Sequence, residues 1–189
     1  KGSPVTRRPY VLAQTPFHVN WLVERLHREV VTDSVMTHAR GRLLDVGCGS
    51  RPFLQLLADH STRAFGVEID RQRYGRVGAE SGERIVAETE SNEDVPQPDA
   101  WADGLRLPFD DGIFETVVSF QVLEHVPKPS VLMAEMCRVL TPGGTLVLTA
   151  PHIWGIHEEP HDYFRFTPFG LRHLAESAGL TVEQVTPLA

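Results

Sequence analysis

The sequence predicts an α/β fold in which a doubly wound, mostly parallel sheet carries helices on both faces. Short apolar runs alternate with segments of helical periodicity, the pattern of βαβ units. The chain has 189 residues, of which 41% are hydrophobic and 23% charged, enough to bury a core. Because crossovers between parallel strands are right-handed, we expect the ligand to bind at the carboxyl ends of the strands.

Composition and charge disfavour several classes of function. The net charge of −7 argues against a broad basic face for nucleic acid, and against DNA above all. No apolar run approaches the roughly 18 residues of a membrane span. Two cysteines, Cys48 and Cys137, are too few for a disulfide framework, and the first ten residues lack the apolar core of a signal peptide. We therefore expect a cytoplasmic protein in a reducing compartment.

The chain divides into an N-terminal arm with a lid helix, residues 1–40, and a main domain, residues 41–189. Prolines make residues 1–15 a loose arm. Apolar side chains then recur at helical spacing from Phe17 to Val31, after a Thr15–Pro16 start signal. We expect this helix to cover the ligand site.

The main domain alternates short apolar strands with helices that begin near prolines and end at glycine-containing turns. The predicted strands are Arg42–Val46, Ala64–Val67, Trp101–Asp103, Phe114–Phe120, Thr145–Thr149 and Thr181–Val185. The predicted helices are Phe53–His60, Arg71–Gly78, Pro129–Leu140 and Thr167–Ala178. The stretch from Glu80 to Asp99 holds seven acids, one base and two prolines, so we expect a peripheral, solvated excursion.

Glycines and acids follow the first two predicted strands. The run Asp45–Gly49, DVGCG, lets the backbone turn tightly and approach a ligand, and Glu68 is placed to accept two ribose hydroxyls. Pro52 stands where a dinucleotide-binding G-x-G-x-x-G fingerprint needs its third glycine, which argues against NAD. A ligand that carries an ammonium and a sulfonium gains from Asp45, and this favours S-adenosylmethionine.

These segments resemble the motifs of class I S-adenosylmethionine-dependent methyltransferases of the type 11 group. LLDVGCGSRPF is similar to the first motif of that family and GVEID to the second. ADGLRLPFDDGIFETVVSFQVLEHV and CRVLTPGGTLVLTAP resemble the later ones. The resemblance implies a Rossmann-like methyltransferase sheet, S-adenosylmethionine as cofactor and S-adenosylhomocysteine as product. The family fold has a further hairpin strand after the sixth, so this chain lacks that terminus or has a shortened sheet.

The resemblance also implies a set of cofactor-binding residues. Asp45 would orient the methionine ammonium, Glu68 would hold the ribose and Asp103 the adenine amino group. Two departures from the family pattern are Arg51 for a common glycine and Glu68 for the commoner aspartate. The implied cofactor contacts are Asp45, Gly47, Cys48, Gly49, Glu68, Ile69, Asp103, Gly104, Leu105 and Gln121.

A histidine-rich segment follows the fifth predicted strand. His157 to His161 formally match the zinc-protease pattern H-E-x-x-H, but Pro160 would break the required helix. We assign no metal ligand here, although another metal site built from these histidines stays an alternative. A histidine is the natural base for a hydroxyl acceptor near neutral pH. Our candidate bases are His157, His161 and His125, and our candidate substrate contacts are His152, Trp154, Asp162 and Tyr163.

The sequence therefore predicts an S-adenosylmethionine-dependent O-methyltransferase acting on a sugar, a glycolipid or a secondary metabolite. A non-catalytic cofactor-binding subunit and an RNA methyltransferase are the alternatives. A structural alternative also applies to the histidine segment, in which its aromatic residues pack the loop, Arg165 pairs with an acid and His125 only holds the loop in place. The acceptor and the oligomeric state are left open.

Overall fold

The sheet is parallel throughout, with the strand order β3-β2-β1-β4-β5 among the residues that the structure describes. The structure is a computed structural model that describes residues 21–69 and 96–187. The arm 1–15, the start of the lid helix, the helix 71–78 and most of the acidic stretch lie outside the described residues. The strands are β1 (Arg42–Val46), β2 (Arg63–Glu68), β3 (Ala100–Trp101), β4 (Phe114–Phe120) and β5 (Leu140–Thr149).

Four helices and one 3-10 turn connect the strands in the described part of the chain. They are α1 (Trp21–His38), α2 (Leu54–Asp59), the 3-10 turn Leu123–His125, α3 (Pro129–Val139) and α4 (Pro168–Ser177). Thr167 caps α4, because its hydroxyl accepts the backbone N–H of Gly170 at 3.0 Å. Among these residues no helix is both long and apolar enough to cross a bilayer.

Two hydrophobic clusters lie on opposite faces of the sheet. Neighbouring residues of a strand point to opposite faces, and Leu43 and Leu44 of β1 accordingly belong to different clusters. Val31 and Val35 of α1 pack on the Leu43 face together with Leu57 of α2. The Leu44 face receives side chains from α3 and α4, namely Leu132, Met133, Met136, Val139 and Ala175. The predicted doubly wound sheet with helices on both faces is confirmed.

Helix α1 continues past Val31, the last residue of its predicted periodicity, to His38. The continuation is explained by Val35, which lies one turn beyond Val31 and is equally buried. The second half of α1 is therefore anchored in the core of the main domain. The boundary at residue 40 stays a prediction.

Strand β5 begins at Leu140, so the prediction that it starts at Thr145 is wrong. Phe114 of β4 pairs with Leu140, whereas Thr116 pairs with Thr145, so the intervening residues form an irregularity in the ladder. Gly143 lies in this irregularity with a φ of 74°, a conformation that glycine adopts without strain. The prolyl-glycine turn signal therefore marks a bulge within a strand and not a connection between helix and strand.

The predicted strand Thr181–Val185 is not a strand among the described residues. Its alternating pattern is real, since Val182 packs against the core cluster. A strand also needs a neighbour for its ladder, and the Val182 carbonyl instead accepts a 3.4 Å hydrogen bond from the Arg172 side chain. The third strand is likewise displaced, to Ala100–Trp101.

Asp99, the last residue of the acidic stretch, is not part of the peripheral, solvated excursion that the sequence predicts. Its carboxylate accepts the backbone N–H of Gly66 in β2 at 2.7 Å and forms an ion pair with Arg51 at 3.0 Å. The end of the acidic stretch is thus held against the sheet, next to the loop that follows β1.

Candidate cofactor and acceptor site

The glycine loop after β1 is tied to the end of β2. The backbone N–H groups of Gly47 and Cys48 both donate to the Val67 carbonyl, at 2.9 and 3.1 Å. Gly47 has a φ of 75°, and a Cβ there would lie 2.4 Å from Val122 Cγ2, so only glycine fits. At Gly49, with a φ of 51°, nothing among the described residues lies within 4 Å of the place a Cβ would occupy. This open side of the loop is where a ligand can approach the backbone.

Arg51 replaces the glycine that is common at the end of this motif, and it adopts the backbone conformation that glycine would favour. Its φ is 57°, a left-handed conformation that costs about 1–2 kcal/mol for a residue with a Cβ. The side chain is only 9% exposed, pairs with Asp99 and donates to the Gln97 carbonyl at 3.2 Å. These contacts offset the backbone strain, so the substitution keeps the loop conformation.

Two carboxyl groups flank the glycine loop. Asp45 is 5% exposed, and burial raises its pKa to about 7, opposed by the positive charge of Arg51. Burial also raises the pKa of Glu68, while the backbone N–H groups of Gly49 and Ile69 donate to its two oxygens at 2.6 and 2.8 Å. A carboxylate has lone pairs for further donors, so Glu68 can still accept ribose hydroxyls. A cationic ligand would compensate the buried charge of Asp45.

The predicted adenine-binding residues follow the end of β3. The Ala102 N–H donates to the Glu68 carbonyl at 2.7 Å, which places this segment beside Glu68. Asp103 accepts the N–H of Leu105 at 2.9 Å, and this bond fixes the turn that carries Gly104. Cys48 is buried, and burial raises its thiol pKa to about 12, which fits a packing residue rather than a nucleophile.

Gln121 joins the ends of β4 and β5. Its backbone N–H donates to the Thr149 carbonyl at 3.0 Å and its side-chain amide to the Thr149 hydroxyl at 3.1 Å, with a φ of 55°. The same hydroxyl lies 2.9 Å from Nε2 of His27 on α1. Sequence reasoning missed His27 because nothing local relates a helix residue to a strand end 122 positions away.

The structure brings two of the predicted histidines together. His125 and His157 stack edge to face with ring centroids 4.7 Å apart. Nδ1 of His125 lies 2.8 Å from the His161 carbonyl, which can only accept, so this nitrogen carries the proton and Nε2 keeps its lone pair. The His161 ring points elsewhere, with Nδ1 2.9 Å from the Tyr163 hydroxyl, and His152 is exposed. His157 and His161 also lie outside any helix, so they do not share the helix face of a zinc protease.

Glu124 is a functional candidate that sequence reasoning missed. Its side chain is fully buried, and within the described structure neither carboxylate oxygen has a hydrogen-bond partner. Burial raises its pKa to about 7. Oε1 lies 3.7 Å from Nε2 of His125. The LEH motif carries no signal of this, because the burial of a side chain depends on the tertiary fold.

An ion pair between Asp162 and Arg165 stabilises the loop after β5, residues 152–166, which we call the histidine loop. The two guanidinium Nη atoms donate to the two carboxylate oxygens at 2.5 and 2.7 Å, and this pairing holds the pKa of Asp162 well below its usual range. Arg165 also donates to the carbonyls of Trp154 and Gly155, at 3.1 and 2.7 Å. Asp162 in turn accepts the backbone N–H of His157 at 2.9 Å, so it positions that histidine.

A pocket of about 240 Å³ opens on this loop and includes three of the predicted substrate contacts. Four aromatic or aliphatic residues and the Asp162–Arg165 ion pair line it, so its surface is about half polar. The lining residues are Trp154, Ile156, Asp162, Tyr163, Phe164 and Arg165. The histidine loop also lies near Glu68, beside the glycine loop, since the negative charge of Glu158 contributes to the raised pKa of Glu68.

A doubly wound parallel sheet, with a glycine loop after its first strand and an acid after its second, defines a Rossmann-like nucleoside-binding domain. The family model for a methyltransferase domain matches residues 22–185. The chain belongs to that family, the class I S-adenosylmethionine-dependent methyltransferases. The site fits this cofactor, because Gly49 leaves room for it, Asp45 can meet its ammonium and Glu68 its ribose.

Comparisons with individual proteins agree with this assignment. A Mycolicibacterium smegmatis protein described as a probable S-adenosylmethionine-dependent methyltransferase is 32% identical over 171 residues, 82% of this chain and 58% of the relative. The 27-O-demethylrifamycin SV methyltransferase of Amycolatopsis mediterranei is 29% identical over 116 residues, 58% of this chain and 38% of that protein. The solved S-adenosylmethionine-dependent methyltransferase of Mesorhizobium loti, 16% identical, shares the fold with a TM-score of 0.59, covering 84% of this chain and 82% of that one.

The chain spans only about a third to three fifths of the length of the curated relatives it matches.

Proposed function

We propose that this protein transfers the methyl group of S-adenosylmethionine to a hydroxyl oxygen of a small molecule, with a histidine as general base. The observation that carries the proposal is the edge-to-face pair of His125, in the 3-10 turn after β4, and His157, in the loop after β5 that also carries the pocket. The name of one relative, a 27-O-demethylrifamycin SV methyltransferase, refers to an oxygen acceptor and supports the same choice.

His157 is the best placed base of the three candidates. Its Nδ1 lies 3.1 Å from the Gly155 carbonyl, which can only accept, and 3.4 Å from Nη2 of Arg165, whose two protons go to shorter bonds of 2.7 Å to Gly155 and Asp162. In the neutral ring Nδ1 therefore carries the proton and Nε2 the lone pair. Its side chain is 24% exposed, against 6% for His125, so an acceptor can reach it. Asp162 fixes the backbone of His157, and the ring of His125 supports its ring. His161 is the alternative base, but its Nδ1 is engaged by Tyr163.

The bound cofactor would supply an electrophilic methyl carbon, and the chain's own residues would supply position and proton removal. His157 would take the acceptor's hydroxyl proton as the oxygen attacks, and His125 would hold the ring of His157 in place. The pocket formed by Trp154, Tyr163 and Phe164 would bind an apolar body next to that hydroxyl. This lining favours a secondary metabolite or a glycolipid over a bare sugar.

We also propose that residues 1–40 cover the cofactor and that residues 41–189 form the catalytic domain, in a cytoplasmic protein. The contact between His27 and the Thr149 hydroxyl supports a covering role, because it places α1 over the end of β5. A non-catalytic cofactor-binding subunit is the rival function, and it shares every feature of the glycine loop.

The test is a His157→Asn variant, compared with His173→Asn on the exposed surface of α4. Binding of S-adenosylhomocysteine is measured by calorimetry, and turnover is measured with a panel of hydroxylated metabolites and glycolipids. We expect turnover of His157→Asn to fall by about 10²–10⁴ with the cofactor affinity nearly unchanged. Normal turnover in this variant would refute the base. Cofactor binding without turnover of any acceptor would favour the non-catalytic subunit, and turnover of RNA alone would favour the RNA enzyme.

A further inference from the structure

We propose that Glu124, His125 and His157 form a binding site for a divalent transition-metal cation of the zinc class. Each residue offers one ligand atom, and these three atoms all lie within 4.8 Å of one another. Two imidazole nitrogens and one carboxylate oxygen are the donor set of many three-ligand zinc sites. The set comes from two separate parts of the chain, the 3-10 turn after β4 and the loop after β5.

The buried carboxylate of Glu124 is the observation that demands a ligand. A fully buried carboxyl group whose oxygens lack a hydrogen-bond partner costs free energy, and natural proteins keep such groups when they are paired or bind a metal. Glu124 meets this description within the described structure, and Oε1 points to the same space as Nε2 of His125, 3.7 Å away. A cation in that space would satisfy the carboxylate.

The histidines are already oriented as metal ligands. A metal-binding histidine usually donates its second ring N–H to a carbonyl or a carboxylate, which fixes the ring and aims the other nitrogen at the metal. Nδ1 of His125 is bound in this way to the His161 carbonyl at 2.8 Å, and Nδ1 of His157 to the Gly155 carbonyl at 3.1 Å. Both rings therefore present Nε2 as the ligand atom.

The distances need only a small contraction. Metal–ligand bonds of about 2.0–2.2 Å in a tetrahedral site set neighbouring ligand atoms roughly 3.4 Å apart. The separation of 3.7 Å between Glu124 and His125 is close to this value, and the widest separation allowed, 4.8 Å, requires a shift of about 1.4 Å. Glu158, whose Oε2 lies 3.9 Å from Nε2 of His125, lies at the edge of the same space.

Three protein ligands leave a coordination position for an exchangeable oxygen. At that position the cation would bind the acceptor's hydroxyl and lower its pKa, so that the hydroxyl proton can pass to His161 or to solvent as the oxygen bonds to the methyl carbon and the sulfonium S–C bond breaks. This role of the ion rests on the proposed function, whereas its binding does not. If the ion is present, the two histidines are ligands, and His161 is left as the histidine of the loop that can accept a proton.

Binding is tested on the full chain, freed of metal with a chelator and without cofactor or acceptor. Zn²⁺ is titrated by calorimetry, and Co²⁺ by the visible absorption of its tetrahedral complexes. We expect one ion per chain. Glu124→Gln, His125→Asn and His157→Asn should each weaken binding by more than about tenfold, because even outer-shell changes cost that much. The matched controls His173→Asn and His161→Asn, which retain all three ligands and the His161 carbonyl, should bind normally.

The variants separate the outcomes. His157→Asn alters a partly exposed residue, so it keeps the test valid should Glu124→Gln fail to fold, which circular dichroism reports. Absence of stoichiometric binding, or equal binding by the three variants, would overturn the site. Binding with undiminished turnover after metal removal would overturn the ion's role in activating the acceptor while leaving methyl transfer intact. Metal binding without turnover of any acceptor would uphold the site and contradict the proposed function instead.

Discussion

Replacing Asp45 by asparagine should strengthen the fold and weaken cofactor binding at neutral pH. The buried carboxyl has a pKa of about 7, raised by burial, whereas in the unfolded chain its pKa is about 3.9. A carboxyl group whose pKa is higher in the folded protein stabilises the fold as long as it is protonated. This contribution is complete below the pKa of the unfolded chain, is lost as the pH rises, and is absent above the pKa of the folded protein. The difference between these two pKa values corresponds to at most about 4 kcal/mol.

Thermal unfolding measures the first half of this prediction. At pH 8 the asparagine variant should be more stable than the parent by about 2–4 kcal/mol, a rise of roughly 5–15 °C in the melting temperature. At pH 4 the two proteins should melt at nearly the same temperature, because Asp45 is then neutral in the folded state. An Asp110→Asn variant, which changes an exposed aspartate, is the matched control and should show no such gain.

Cofactor binding should depend on pH in the opposite direction: the affinity should rise as Asp45 ionises, whereas the stability falls. In the proposed site the ammonium of S-adenosylhomocysteine would interact with the ionised form of Asp45, which is about 3% of the carboxyl at pH 5.5 and about 75% at pH 7.5 for a pKa near 7. Affinity should therefore rise roughly 25-fold between these pH values in the parent and much less in the asparagine variant. A parent and a variant with the same pH profile of binding would refute the assignment of Asp45 to the ammonium.

Two further predictions concern the same loop. Glu68→Ala should weaken cofactor binding by about 1–3 kcal/mol, the cost of losing charge-assisted hydrogen bonds, and unchanged affinity in calorimetry would contradict the ribose assignment. Gly47→Ala should lower the free energy of unfolding by about 2–4 kcal/mol, because its Cβ would meet Val122 at 2.4 Å and the backbone is left-handed. The comparison variant Gly49→Ala has an open Cβ position, so urea unfolding should show a loss of only about 1 kcal/mol.

The sequence predicts the ends of β1 and β4 to the residue, because both are short segments rich in Leu, Val or Phe whose residues are mostly buried on both faces. It also predicts the glycine loop, since the conformation at Gly47 is set by nearest neighbours and by the strand before it. Information of this kind is local. The bulge before Thr145 is local too, but a turn signal and a bulge signal use the same residues, proline and glycine, so the pattern alone cannot separate them.

The acceptor side of the site depends on contacts distant in the chain, which sequence patterns do not encode. Glu124 is an ordinary acid in the sequence, and only the tertiary fold makes it a buried carboxylate without a hydrogen-bond partner among the described residues. The contacts of Arg165 are only partly predictable from the sequence, for the same reason. A pairing with an acid is foreseeable, but its hydrogen bonds to the Trp154 and Gly155 carbonyls depend on the fold of the whole loop.

Hydrogen bonds to the segment that follows β4 fix the position of the histidine loop. The Glu124 carbonyl accepts the backbone N–H groups of Tyr163 and Phe164, at 2.8 and 3.3 Å, and Nδ1 of His125 donates to the His161 carbonyl. The 3-10 turn that makes these contacts begins two residues after Gln121, which is bonded to the end of β5. One short segment therefore connects the ends of β4 and β5 to the histidine loop. Because these bonds use only the Glu124 backbone and one ring nitrogen of His125, the carboxylate and Nε2 stay available for a proton or a metal ion.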